Sequence, residues 1–428
     1  MSSSLRILLT EGSSTSARQT LHCLGRSHTI DVMDSAALSQ CRFSNHVRKW
    51  HRCPLSSAEP VAYLQRMKQL IDQHGYDVVV ATHEQAYLLA RVREQLSQHV
   101  GIAVPSFEAI DRLQNKGNFA RVMQELNLPQ PATRCINETT PHDFREACLQ
   151  QTDFPCFVKT AHGTAGRGVV GIADEREWHE WITEQTTNEA SLPGQEIIVQ
   201  SAAPGELSIL QAVFDRGELV AWHDATGLRR GVGGAPIVRI STHREAVADD
   251  IEKLGQALNW HGALFLEYFF DESTGQHQFI EANPRIGETV NAMLSGVNLC
   301  QHLVEISLGN RNTSPEVQSG RSGVKTHQFL TALLDQAMTT HSRRAVWKEC
   351  LDRIRNRAGY RDSEPEMMRW RDDPLSLIPP VAVALEMLIA PAKSHQKVQS
   401  TVANYGLNAD AIERIARLSD VELSGVFN

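Results

Sequence analysis

Two apolar runs, Ala263–Phe270 and Gln276–Ala282, joined by Asp271-Glu-Ser-Thr-Gly275, restrict this chain more than any other feature, because each carries an acidic residue among apolar neighbours. Runs of this length around a short polar, glycine-ended turn read as a β-hairpin. Folding about the turn sets Glu267 roughly opposite Glu281, and strand alternation puts Glu281, Asn283 and Arg285 on one face. Two adjacent carboxylates raise each other's pKa unless a cation lies between them. Beside Leu264, Phe265, Leu266, Phe269, Phe270, Phe279 and Ile280, such groups need a partner. Two carboxylates and an amide suit Mg²⁺, which takes few protein ligands and shares its coordination with substrate phosphates. A solvated polar strand face is the plain alternative, and the apolar neighbours count against it.

A second feature is Phe157-Val-Lys159-Thr-Ala-His-Gly163-Thr-Ala-Gly166-Arg-Gly168-Val-Val. A strand ends in a lysine, a loop with three glycines follows, and a second strand restarts at once. Small residues let backbone amides fold over polyphosphate, and the lysine can reach phosphate as a point charge. The loop opens no helix and lacks Gly-Lys-Ser/Thr, so it is not the common P-loop. Taken alone, it reads equally well as a glycine-rich β-turn with a solvent-facing lysine.

Together, in this order and spacing, these residues resemble the ATP-grasp superfamily, and within it the carboxylate–amine (amino-acid) ligases related to the carbamoyl-phosphate synthase large chain. The resemblance covers about 1–310 and is densest over 113–310. It implies that Lys116 and Lys159 contact ATP and that Gly163, Thr164, Ala165, Gly166, Arg167 and Gly168 cover its phosphates. It implies that backbone groups near Gln200, Ser201 and Ala203 read adenine and that Glu206 holds the ribose. Glu267, Glu281 and Asn283 would hold Mg²⁺, or Mn²⁺ in its place. Arg285 and Lys159 are then the catalytic residues, Arg285 neutralising the transferred phosphoryl group. Arg229, Arg230, Gly233, Gly234 and Arg239, with Arg285, are the substrate candidates around the glycine-rich stretch Leu228–Ala235, although each arginine alone reads as well as a solvated loop residue. The hinge carries Gln200-Ser201 where relatives often place a glutamate. His162 and His223 read as structural rather than as proton carriers.

The N-terminal run Leu5–Thr10, the turn Glu11–Ser16, a helical stretch and the run His28–Met33 form a βαβ signature. Its turn reads as a capped βα turn with Thr15 or Ser16 as N-cap, or as an anion pocket at the helix start. The expected fold class is α/β (α+β): an N-terminal parallel α/β domain over 1–112, a two-lobed ATP-grasp domain with antiparallel sheets over 113–312, and a C-terminal extension over 313–428. The lid lobe takes about 116–205 and the metal lobe about 206–312. After 310 the pattern is weak until helices at about 381–390 and 408–418.

Forty-two basic against 50 acidic residues give a net charge of −8, the wrong sign for a nucleic-acid binder. No apolar run reaches the ~18 residues of a membrane span, since Leu377–Ala392 is broken by Pro379, Pro380 and Glu386. Eight scattered cysteines and the absence of a signal-peptide pattern lead us to expect a cytoplasmic protein. The resemblance implies an ATP-dependent ligase forming an amide or peptide bond on a small carboxylate or amino acid through an acyl phosphate. Its partners are then small carboxylate and amine substrates, with neither nucleic acid nor membrane, and a homodimer is compatible. A bicarbonate-activating enzyme of the carboxylase or carbamoyl-phosphate type is the alternative, and a non-catalytic nucleotide-binding regulator is the third reading.

Overall fold

β-branched and leucine-rich runs with few polar interruptions build the first sheet. A computed structural model describes residues 4–427 except 138–139, 152, 164–167, 187–195, 232–233, 311–315, 368–370 and 395–401. The chain divides into two units, one of Met1–Ile110, Ile209–Phe265 and Pro284–Asn428, the other of Asp111–Ser208 and Leu266–Asn283. In the first unit β1 (Arg6–Leu9), β2 (Thr29–Asp34), β3 (Val47–Arg52) and β4 (Val78–Val80) form a sheet in the order β3-β2-β1-β4. Its pairings are parallel, with Ile7 opposite Ile30 and Val78. Parallel strands are covered on both faces, which is why Ile7, Leu8, Leu9, Ile30 and Val32 are fully buried. The helix Thr15–Leu24 packs Ala17, Leu21 and Leu24 into the same core.

That helix is capped by Ser14, whose hydroxyl accepts from the Ala17 amide, rather than by the expected Thr15 or Ser16. The turn's amides do not await an outside anion. Those of Ser13 and Ser14 donate to Glu11, and that of Gly12 donates to Asp34.

The second unit holds β5 (Thr133–Ile136), β6 (Cys156–Thr160), β7 (Val169–Ile172) and β8 (Ile197–Ser201) in the antiparallel order β5-β8-β6-β7. Phe144, Trp178, Ile182, Val158 and Val199 fill its core under the helices Pro141–Leu149 and Glu175–Thr186.

The remaining strands are β9 (Glu206–Asp215), β10 (Glu218–Arg230), β11 (Pro236–Thr242), β12 (Gly262–Asp271), β13 (Gln276–Asn283), β14 (Gln318–Ser319), β15 (Lys325–His327) and β16 (Glu364–Pro365). They hydrogen-bond in the order β13-β12-β9-β10-β11-β15-β16, with β14 beside β10. Arg216 at φ 50° and Gly217 at φ 87° make the β9–β10 connection a type I′ turn, the form that matches strand twist. The mixed α/β class is as expected. The expected C-terminal helices lie at Ile378–Ile389 and Ala409–Ala416, and among the described residues Phe329–Thr340, Arg343–Ile354 and Asp420–Phe427 are also helical. Among the described residues no helix is long and apolar enough to cross a membrane.

Candidate functional site

In the second unit the helix Lys116–Glu125 begins against the strand that carries Lys159. Asn115 caps it by accepting from the Asn118 amide, and the Lys116 amide donates to Ala161 O at 2.9 Å. This fixes Lys116 as the first residue of the helix and aims its side chain along the loop. Its Nζ donates to Gly163 O at 2.9 Å and lies 3.1 Å from Glu281 Oε1. A Cβ on Gly117 would run into the Glu196 carboxylate, which would have to move aside. Glu196 in turn accepts from Arg121 and Asn137.

Lys159 lies near the end of β6 and is 6% exposed. Its Nζ donates to Gln200 Oε1 at 2.7 Å and to Ile280 O at 3.4 Å. Burial lowers its basicity, Glu281 and Glu267 raise it, and Lys116 lowers it again. Both predicted carboxylates are therefore within electrostatic reach of one ammonium, and the cluster balances two positive against two negative side chains. Gln200 Nε2 donates to Thr133 Oγ1 at 3.0 Å, so the Gln200 amide is held at both ends. The sequence reading gave Gln200 a backbone role near adenine and missed this side-chain link. The signal was present in the alternation of β6 and β8, which pairs Phe157 with Gln200.

The amides of Ser201 and Ala202 donate to Ala132 O and Pro155 O. Gly205 adopts φ 95°, and a Cβ there would meet Phe270 O at 2.0 Å, so only glycine permits this approach of the segment before β9 to β12. Ala203 and Glu206 flank it. Asn283 ends β13 two residues beyond Glu281. Among the described residues no three His, Cys, Asp or Glu side chains converge as a metal group. Gly168 is described, at φ 76° beside Thr160, whereas Thr164, Ala165, Gly166 and Arg167 lie outside the described residues.

The first unit holds Arg285, Arg229, Arg230 and Arg239. Arg285 Nε donates to His83 Nε2 at 3.3 Å, and its guanidinium stands 5.9 Å from the Phe265 ring centre. His83 is 5% exposed and packs against the Tyr405 ring. Burial and the Arg285 charge hold its imidazole well below the usual histidine pKa, so it stays neutral and able to accept. Neither His83 nor Tyr405 carried a motif that sequence reasoning could use.

Arg229 makes a two-pronged pair with Glu349 at 2.6 and 3.0 Å. Arg239, 1% exposed, pairs with Glu288 at 2.6 Å and Glu366 at 2.7 Å. Two substrate candidates are therefore bound to carboxylates, and in each case one of those carboxylates comes from the C-terminal region that gave no motif. Arg230 ends β10 and Gly234 follows at φ 78°, while Gly233 lies outside the described residues.

No family model matches the chain. The carbamoyl phosphate synthase large chain of Clostridium acetobutylicum is 23% identical over 262 residues, covering 58% of this chain and 23% of that protein. That of Archaeoglobus fulgidus is 23% identical over 269 residues, covering 59% and 24%. The match thus spans about a quarter of the length of these relatives. Among solved structures, a carboxyaminoimidazole ribonucleotide synthase from Aspergillus clavatus complexed with ATP has a TM-score of 0.61 at 15% identity, covering 90% of this chain and 99% of that one. The biotin carboxylase domain of a Hydrogenobacter thermophilus 2-oxoglutarate carboxylase, with MgADP and bicarbonate, has a TM-score of 0.59 at 16% identity, covering 76% and 74%. An L-amino acid ligase from Bacillus licheniformis has a TM-score of 0.53 at 18% identity, covering 72% and 75%. At these identities the structural likeness is one of fold.

Proposed function

We propose, from the premise that the chain belongs to the ATP-grasp superfamily, that it is an ATP-dependent ligase joining a small carboxylate to an amine through an acyl phosphate, with release of ADP and phosphate. One observation carries the reading: two buried lysines, Lys116 and Lys159, share their surroundings with the strand carboxylates Glu281 and Glu267. A carboxylate is a poor electrophile, and transfer of the γ-phosphoryl group of ATP makes it reactive. Catalysis of such a transfer is mostly positioning and charge neutralisation.

In this reading Gln200 and Ile280 O hold the Lys159 ammonium where phosphate oxygens replace the water it lacks. Lys116 leaves Glu281 for the nucleotide, freeing that carboxylate. Glu267, Glu281 and Asn283 would hold Mg²⁺, which neutralises phosphate charge when bound. Arg285, which donates through Nε to a neutral His83, would neutralise the transferred phosphoryl group. The loop over 162–168 covers the phosphates and keeps water from the acyl phosphate.

The test is ADP and phosphate release from Mg-ATP against paired pools of amino acids, other carboxylic acids and amines. Release that requires one carboxylate and one amine supports the ligase. Release with bicarbonate in place of the organic acid favours the second reading, a bicarbonate-activating enzyme, which draws support from the likeness to a biotin carboxylase domain. No release with any pool counts against both.

A further inference from the structure

The first unit contains a cavity of about 340 Å³ that involves none of the residues assigned above. Arg93, Arg216, His261, Asn259, Ser97 and Ser307 supply its polar lining. That volume falls at the small end of the ~300–1,000 Å³ usual for small-molecule sites. Some arginines of this unit are matched to carboxylates, as Arg18 is to Asp373, Arg48 to Asp31 and Arg239 to Glu366, and others, such as Arg6, Arg91 and Arg343, donate to backbone carbonyls. Neither Arg93 nor Arg216 makes an ion pair with a described residue, and both open into this one cavity.

The two guanidinium groups also converge. Each disfavours protonation of His261, whose Nδ1 lies 3.3 Å from Asp215 Oδ1. Asp215 lies behind the imidazole rather than on the lining, and Glu94 is the acidic side chain that lines the cavity. Val100, Ile102 and Ile306 add apolar wall.

Backbone hydrogen bonds and close backbone approaches shape the walls. Arg216 is the first central residue of the type I′ turn, with φ 50°. Gly101 is hydrogen-bonded through its amide to Asp77 O and through its carbonyl to the Val79 amide. A Cβ on Gly101 would stand 2.7 Å from Ser307 O, so two walls meet backbone to backbone. Two guanidinium groups match oxyanions through paired N–H donors, and the Asn259 side-chain amide adds a further donor, while the Ser97 and Ser307 hydroxyls donate to Glu94 O and Leu303 O.

We propose that this cavity is a binding site for a small molecule bearing a compact oxyanion, a phosphate or a carboxylate, gripped by Arg93 and Arg216. It is independent of the nucleotide reading.

The test is calorimetric titration of the full chain with inorganic phosphate and, separately, with malonate. Three proteins are compared: wild type, Arg93→Ala/Arg216→Ala and Lys159→Met. The wild type binds at least one probe in the millimolar range or tighter. The double arginine variant, folded by circular dichroism because both side chains reach solvent, loses about tenfold or more in affinity, as expected when paired charged donors are removed. The Lys159→Met variant keeps the wild-type affinity within about twofold. The probe that binds tells phosphate from carboxylate recognition. Unchanged affinity in the double variant, loss in Lys159→Met alone, or no binding of either probe by the wild type overturns the proposal.

Discussion

A lysine 6% exposed keeps its charge only if its surroundings replace water, and Lys159 has three such replacements: Gln200, Ile280 O and the nearby carboxylates. Removing the Gln200 amide leaves a buried ammonium short of one acceptor, which costs about 1–3 kcal/mol. Gln200→Leu is therefore expected to lower the melting temperature and to weaken Mg-ATP binding by about tenfold or more. Calorimetric titration with ATP checks the second effect, and unchanged affinity would remove Gln200 from the lysine's support. His83 does for Arg285 what Gln200 does for Lys159. His83→Leu takes away the acceptor for Arg285 Nε, so turnover should fall by about 10- to 100-fold while KM for ATP moves less than about twofold. His83→Gln, which offers an oxygen in place of Nε2, should restore most of the turnover. Equal losses in both variants would show that His83 matters only for packing.

Elements carry the next level of consequence. Glu349, on the helix Arg343–Ile354, accepts both prongs of Arg229 on β10 and the hydroxyl of Tyr360. Glu349→Ala strands a partly buried guanidinium and a buried phenol, so stability should drop by about 1–3 kcal/mol, less than for a fully buried pair because Arg229 keeps some water. Urea unfolding measures this, and a drop under half a kcal/mol would mean that the C-terminal helices hold to β10 by apolar packing alone. Such long-range pairs explain what could be read in advance. The hairpin of β12 and β13 was legible because its apolar period and turn chemistry are local, and so was Lys159 at the end of β6. β3 escaped notice because it is an edge strand reading Val-Arg-Lys-Trp-His-Arg, and edge strands tolerate the charges that disguise them. The helices Phe329–Thr340 and Arg343–Ile354 bury Leu333, Ala337 and Val346 against Met387, a contact that sequence spacing does not announce. The neutralisation of Arg229 and Arg239 was invisible for the same reason. Glu349 and Glu366 lie more than a hundred residues away, and an arginine in a loop looks the same whether or not a distant carboxylate meets it.

At the scale of the whole molecule, two buried groups set opposing dependences on pH. Burial pushes Glu11 up to about 7, with help from the Asp34 carboxylate and against the Ser13 and Ser14 donors. In the unfolded chain it titrates near the ordinary 4.5. The folded protein therefore binds more protons than the unfolded one between those values, and stability is lost as pH rises from 4.5 to about 7. His223 is the reverse. Fully buried, with Nε2 on Asn291 Oδ1 and Nδ1 on Ser295 Oγ, it is pushed down from 6.5 to about 4. Here the unfolded chain binds the extra proton, so stability is lost as pH falls from 6.5 toward 4. Each shift corresponds to roughly 3 kcal/mol at most, and over 4.5–6.5 the two slopes oppose each other. Single substitutions separate them. Relative to wild type, Glu11→Gln should make the melting temperature climb more steeply with pH across this window, because only the histidine slope remains. His223→Gln should make it fall with pH, because only the glutamate slope remains. The double variant should run parallel to wild type, whatever constant offset the substitutions add. Melting curves at half-unit pH steps decide the matter, and single variants that merely run parallel to wild type would show that neither group carries its proton balance into folding.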